Sequence, residues 1–237
     1  MTISLIDVCK YYAGEPHQDT ALTWLQDEIP AVVLNQFAKM WRNKVEQKDY
    51  SPAVKRQVAR LAKYGVVTPE NRFGNKPKYF SQRDNYTMPH RTCNSSANAM
   101  YLDWLMRITN KGELKGDDRY LKKVLSYGDT IYHSVQTKAI KAFGFDTKWM
   151  TDMDYPFIEQ LLDSGFPVVC NILHRGPTHA PTGGHIIMLT GNKNDHFLVN
   201  DPYGTLSSDY NNVNGKDSVI TKKEFKERWQ GGYRILA

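Results

Sequence analysis

Residues 91–100 read RTCNSSANAM, a lone cysteine at the head of small and polar residues that turn into an apolar helical face. From Cys93 onward Ala97, Met100, Tyr101, Trp104, Leu105 and Ile108 recur every three or four residues. That is the spacing of a helix that buries one side in a core. It predicts a helix over 93–108 with the thiol in its first turn, where unpaired backbone N–H groups favour an anion. A cysteine in that place is either a small packing residue or a nucleophile.

Downstream, helical patterns cover about 118–125, 130–143 and 156–163, the last stopped by Gly165. The period then changes. FPVVCNIL (166–173), GHIIMLTG (184–191) and HFLVNDP (196–202) are short apolar runs bounded by Gly, Asn, Asp and Pro, which is strand chemistry. Thr221 with Glu224 three residues later opens a capping box, and GGYRILA (231–237) reads as a closing strand. Helices followed by strands predict an α+β domain.

Upstream, DTALTWLQDEI puts Leu22, Leu25 and Ile29 at helical spacing, and Pro30 fits the first position of a second helix carrying Val33, Phe37 and Trp41. A third helix is expected from Ser51-Pro52 to about Tyr64. The segment between Gly65 and Lys78 is rich in Pro, Gly, Asn and charge, so a domain boundary is placed near residue 75. This divides a helical module with its linker (1–75) from a larger domain (76–237).

The chain has 237 residues, of which 41% are hydrophobic and 24% charged, as expected of an ordinary globular protein. Its net charge of +6 favours an anionic partner: nucleic acid, anionic membrane or cell-wall polymer. The densest basic groupings, Lys55, Arg56, Arg60 and Lys63, then Lys222, Lys223, Lys226 and Arg228, read as solvated helix faces. No interleaving of aromatic and basic residues marks a nucleic-acid site. No apolar run approaches the ~20 residues of a membrane span, and the first residues lack the basic and apolar regions of a signal peptide. The expectation is therefore synthesis in a host cytoplasm without stable membrane insertion. Three widely spaced cysteines, Cys9, Cys93 and Cys170, fit neither a disulfide framework nor a zinc knuckle. Cys170 lies in an apolar run and reads as a buried hydrophobe. Cys9 has no His or acid arrangement around it.

A thiol nucleophile needs a base, a group to orient that base, and a donor for the developing oxyanion. Of seven histidines only His185 opens an apolar strand, directly after two glycines. His174 and His179 fall in the loop before it and His196 in a turn after it. Asp201 ends HFLVNDPYG sixteen residues later, an interval that a hairpin can close. An Asp-Pro at a strand end is also ordinary turn chemistry. Gln82, in YFSQRDN, is placed upstream of the thiol as a side-chain amide donor, or is simply a surface glutamine. A zinc site built from His174, His179, His185 and Asp201 matches no standard spacing and would leave Cys93 without a purpose. No metal or cofactor is expected.

The order SQRDN, TCNSSANAM, GGHIIMLTG and FLVNDPYG, over roughly residues 79–237, resembles papain-like cysteine peptidases. The branch is that of the bacteriocin-processing, double-glycine-cleaving enzymes and their stand-alone phage and bacterial relatives. The resemblance implies a papain-like fold, with the cysteine-bearing helix packed on an antiparallel sheet. It implies Cys93 as nucleophile, His185 as general base and acid, Asp201 as orienter and Gln82 as oxyanion donor. The loop HRGPTHAPTGG (174–184) would border the substrate cleft.

The amino-terminal helices look similar to modules attached to phage and cyanobacterial cell-wall hydrolases, which suggests wall binding. A basic hydrolase of this kind resembles a phage endolysin, released through a separate pore and drawn to anionic peptidoglycan. Two alternatives stay open: a cysteine peptidase that processes a phage or bacterial protein, and a non-catalytic binding domain on the same fold. The bond cut, the host and the oligomeric state are not legible in the sequence.

Overall fold

The computed structural model describes Pro30, Val33 and residues 51–66, 76–206 and 209–237. The chain divides into two compact units, Met1–Tyr50 and Ser51–Ala237. In the first, Val33 is helical, and the remainder of the two helices expected there, with Cys9, lies outside the described residues.

The second unit carries helices α1 (Pro52–Ala62), α2 (Cys93–Ile108), α3 (Asp118–Leu125), α4 (His133–Ala142), α5 (Tyr155–Asp163) and α6 (Lys222–Arg228). Its strands are β1 (Thr147–Met150), β2 (Val168–Arg175), β3 (Thr182–Asn192), β4 (His196–Asn200), β5 (Ser218–Thr221) and β6 (Trp229–Leu236). They form one six-stranded sheet in the order β1-β6-β2-β3-β4-β5, and every neighbouring pair is antiparallel. The fold is the α+β, papain-like arrangement expected, with the cysteine-bearing helix against an antiparallel sheet.

Local chemistry accounts for the elements that hold the site. Ser51 caps α1, its hydroxyl accepting from the Val54 N–H, and Pro52 sits where its missing N–H costs nothing. The Gln57 amide then exchanges hydrogen bonds with both backbone groups of Leu236, tying α1 to β6. The unit therefore begins at Ser51, ahead of the composition change near residue 75. Asp154 caps α5 through the Phe157 N–H, and Thr221 caps α6 through the Glu224 N–H.

Five consecutive β3 residues, His185 to Leu189, are buried. A strand with one solvated face would alternate, but α2 and α5 both pack on β3. Arg234 on β6 is also buried, and its guanidinium donates to Thr137 Oγ1, Thr147 Oγ1 and the His133 carbonyl. This one side chain ties α4, β1 and β6 together. Leaving it unpaired there would be costly.

Most of the first turns of α2 is polar and still buried. The Asn94 amide donates to the Thr130 and Ile131 carbonyls, and the Asn98 amide donates to the Asn94 carbonyl and Oδ1. Ser96 donates to Asp117, and Ser95 pairs with Thr130. Asn94, Ser95 and Ser96 thus anchor the helix to the loops around it, and Asn98 braces Asn94 from one turn further along the helix. Every one of these bonds helps fix the thiol at its end.

Candidate active site

Cys93 is the first residue of α2, with Thr92 at the cap. Its own N–H, at the first helical position, has no intrahelical acceptor. β3 crosses beneath this end of the helix, so the partly exposed thiol meets the His185 imidazole within hydrogen-bonding reach, and the Ile186 backbone N–H also points at the sulfur. His185 Nε2 is 2.6 Å from Asp201 Oδ1, which leaves Nδ1 for the thiol. Both His185 and Asp201 are buried.

Burial alone opposes ionisation of Cys93. The charge of His185, its hydrogen bond and the Ile186 N–H outweigh it and hold the thiol below its ordinary value. Burial likewise opposes protonation of His185, but Asp201 and Cys93 together push it up to about 10. Each group is charged because the other is. The resting state this favours is a thiolate–imidazolium pair.

The turn after β4 is built around Asp201. The Asp201 N–H donates to the Gly215 carbonyl, and the Asp201 carbonyl accepts from the Tyr79 hydroxyl. Gly215 is required here, since a Cβ would lie 2.0 Å from the Asp201 carbonyl oxygen. The Tyr203 N–H donates to Oδ1 at 2.8 Å.

Gln82 opens a short 3-10 turn, Gln82–Asp84, whose first N–H donates to the Pro202 carbonyl at 2.9 Å. The glutamine is buried, not a surface residue. One amide hydrogen is spent on the Pro89 carbonyl at 2.8 Å, while Oε1 has no partner. Gln82 does not line the cleft beside Cys93.

That cleft has a volume of about 220 Å³ and is lined by Arg91, Cys93, Asn94, His133, Asn171, His185 and their neighbours. His133 lies flat on Trp149, ring centroids 3.6 Å apart. Burial and the nearby Arg234 charge bring it down to about 4, so it presents a neutral wall. From the loop expected to border the cleft, Gly184 is a lining residue. Among the described residues no group of His, Cys, Asp and Glu is arranged to hold a metal ion.

The structure thus brings Cys93, His185 and Asp201 together, and places Gln82 against the Asp201–Pro202 turn. His174, expected in a loop, is on β2 with its ring stacked on His185. Neither that stack nor the Ile186 N–H was readable from the sequence, because the first depends on the β2–β3 register and the second on how α2 packs on β3. The two glycines before His185 were a partial signal for the first.

A buried histidine between a thiol and a carboxylate is the constellation of a cysteine peptidase. The sequence profile of the Peptidase_C39 like family matches residues 75–234, and the chain belongs to that family. Among solved structures it is similar to a C39-like peptidase from Bacillus anthracis, with 14% identity and a TM-score of 0.48, covering 69% of this chain and 98% of that one. It is also similar to the peptidase domain of Streptococcus ComA, a bifunctional ABC transporter involved in quorum sensing. There the identity is 16% and the TM-score 0.44, with 68% and 97% covered. A comparison with curated proteins finds none that matches.

Proposed function

We propose that this cysteine peptidase is an endolysin-like hydrolase that cuts an amide bond in bacterial peptidoglycan, with Cys93, His185, Asp201 and Gln82 as its machinery. The 2.6 Å contact of His185 with Asp201, beside a thiol at a helix start, is the observation that carries the chemistry. The net charge of +6 supports an anionic polymer as the substrate. Among the described residues no helix is long and apolar enough to cross a membrane. The protein would reach the wall through a separately made pore.

In this reading the Cys93 thiolate attacks the amide carbonyl carbon. The oxyanion that forms is met by the Cys93 N–H, and the second donor this reading assigns, as the resemblance implies, is the Gln82 amide. The His185 imidazolium gives its proton to the departing amine, leaving a thioester. Neutral His185 then takes a proton from water as that water attacks the thioester. Collapse releases the acid product, and the proton returns the thiolate–imidazolium pair. Asp201 holds the ring so that Nδ1 faces the reacting atoms.

The test is digestion of purified sacculi, with soluble fragments identified by mass spectrometry for the wild type beside Cys93→Ser. New amine ends from the wild type alone are expected, and the fragment masses name the bond. Intact sacculi together with a specific cut in a protein would overturn the wall substrate and favour a protein-processing peptidase. No thiol-dependent cleavage of either would leave the non-catalytic reading.

A further inference from the structure

Asp201 has two carboxylate oxygens, and their partners are unequally divided. His185 Nε2 and the Tyr203 N–H both bond to Oδ1, at 2.6 and 2.8 Å. Two donors therefore hold Oδ1, while the second oxygen depends on a partner of its own. Oδ2 has a different partner, the Tyr210 hydroxyl at 3.3 Å. The same hydroxyl is 3.0 Å from His174 Nδ1.

Hydrogen counting fixes the direction of this chain. The carboxylate can only accept, so the single Tyr210 hydrogen goes to Oδ2, and the tyrosine oxygen must accept from His174 Nδ1–H. His174 is therefore the Nδ1–H tautomer. Burial, followed by the positive charge of His185, brings it down to about 4 and keeps it neutral. Its ring lies over His185 with centroids 4.5 Å apart and planes 21° from parallel. A neutral ring over an imidazolium is favourable, whereas two charged rings would repel. The charged groups that bear on His174 are His185, Asp201, Arg175 and Arg228.

The backbone is bent to make this arrangement. Tyr210 has φ 62° and Asp209 φ 54°, a left-handed conformation that bulky side chains rarely adopt. Strain of this kind persists where surrounding structure over-determines it and is a pointer to function. On the sheet, Gly183 has φ +69°, and a Cβ there would stand 3.3 Å from the His174 ring. The glycine leaves that ring room beside His185.

We propose that Tyr210 is a positioning residue that sets the plane of the Asp201 carboxylate from Oδ2, with His174 as the donor that orients the tyrosine hydroxyl and the ring that covers His185. This rests on the Cys93–His185–Asp201 reading and extends it by two residues. Neither touches the substrate.

The experiment follows alkylation of Cys93 by iodoacetamide against pH, mapped by mass spectrometry on the full chain, so no wall substrate is needed. With Tyr210→Phe the ring stays in contact with His174 and Tyr203 and only the hydroxyl is lost, so thermal unfolding should match the wild type. Asp201 then loses the partner that holds Oδ2 and supports the His185 charge less well. The midpoint of thiolate formation should rise by about half a pH unit or more. His174→Phe, which keeps a ring over His185 but removes the donor, should shift the midpoint in the same direction by less. A Tyr210→Phe midpoint that is unchanged or lower overturns the proposal. If instead the wild-type midpoint is that of an ordinary thiol and His185→Ala does not move it, the triad reading itself has failed.

Discussion

Two free thiols, Cys93 and Cys170, are pushed in the same direction by burial and end in opposite states. Cys170 lies inside β2 with only a 3.8 Å contact from its sulfur to the Val168 carbonyl, and burial raises it well above the ordinary thiol value. Nothing there stabilises a negative charge. Cys93 meets the same desolvation, but at a helix start, with an imidazolium and the Ile186 N–H aimed at it. Cys93 is partly exposed and Cys170 buried, but what separates their ionisation is the neighbours: Cys93 has an imidazolium and a backbone N–H aimed at it, and for Cys170 only burial acts.

The bluntest way to break the contrast is to remove each sulfur in turn. Cys93→Ser should lower turnover by about 10⁴-fold or more, because a serine hydroxyl cannot be ionised by His185 as a thiol can. Cys170→Ser should keep turnover and lose about 1–3 kcal/mol of stability by placing a hydroxyl in an apolar strand interior. Equal losses of turnover in the two variants, measured at equal folded fraction, would erase the distinction.

Next in size is the carboxylate. Asp201→Ala should cost about 10²–10³-fold in kcat/KM. Asp201→Asn should cost less, as its carbonyl oxygen can still accept from Nε2. Gly215→Ala attacks the same residue from the backbone side, since its Cβ would collide with the Asp201 carbonyl. About 1–3 kcal/mol of stability should go, with activity falling in step as the turn shifts.

The pH dependence sharpens the comparison without any mutation. Activity should rise with pH as Cys93 ionises below its ordinary 9.0 and fall as His185 loses its proton near about 10. The sign for stability follows the same groups. A histidine raised in the fold contributes fully below its unfolded value near 6.5, and that contribution is lost as pH rises through about 10. A profile centred on an ordinary histidine pKa, falling away at low pH only, would contradict the coupling.

The smallest effect belongs far from either thiol. Thr221→Ala removes the cap of α6 and should cost about 1 kcal/mol by thermal unfolding, with turnover unchanged.

What could be read in advance followed the strength of the local signal. Helices α2 and α3 run over the residues their periodicity marks, on apolar spacing alone, since neither Thr92 nor Asp117 makes a side-chain cap hydrogen bond. Helix α4 starts at His133, three residues after the expected Thr130. The Thr130 carbonyl is taken by Asn94 and Gln136, and Asp129 Oδ1 accepts from the Ile131 N–H, so this turn is held outside the helix. Strands β1 and β5 escaped notice because four residues each are too few to show a period of two. They become strands by pairing with β6 and β4.

The site divides in the same way. Cys93 opens α2 and Asp201 follows β4, whereas His185, expected to open its strand, is the fourth residue of β3, which already starts at Thr182; the resemblance in chain order connected the three. His174 and Tyr210 carry no such mark. Their placement depends on the sheet register and on a left-handed turn that composition does not announce.

The central claim is that its neighbours, His185 above all, hold the Cys93 thiol below its ordinary value, and site-resolved alkylation tests it most directly. Iodoacetamide labelling of the full chain across pH, read by mass spectrometry, should give Cys93 a midpoint below 9.0 that rises toward the ordinary value in His185→Ala. Cys170 should stay unlabelled until the protein unfolds. A Cys93 midpoint at or above 9.0, unmoved by the loss of His185, would contradict the account.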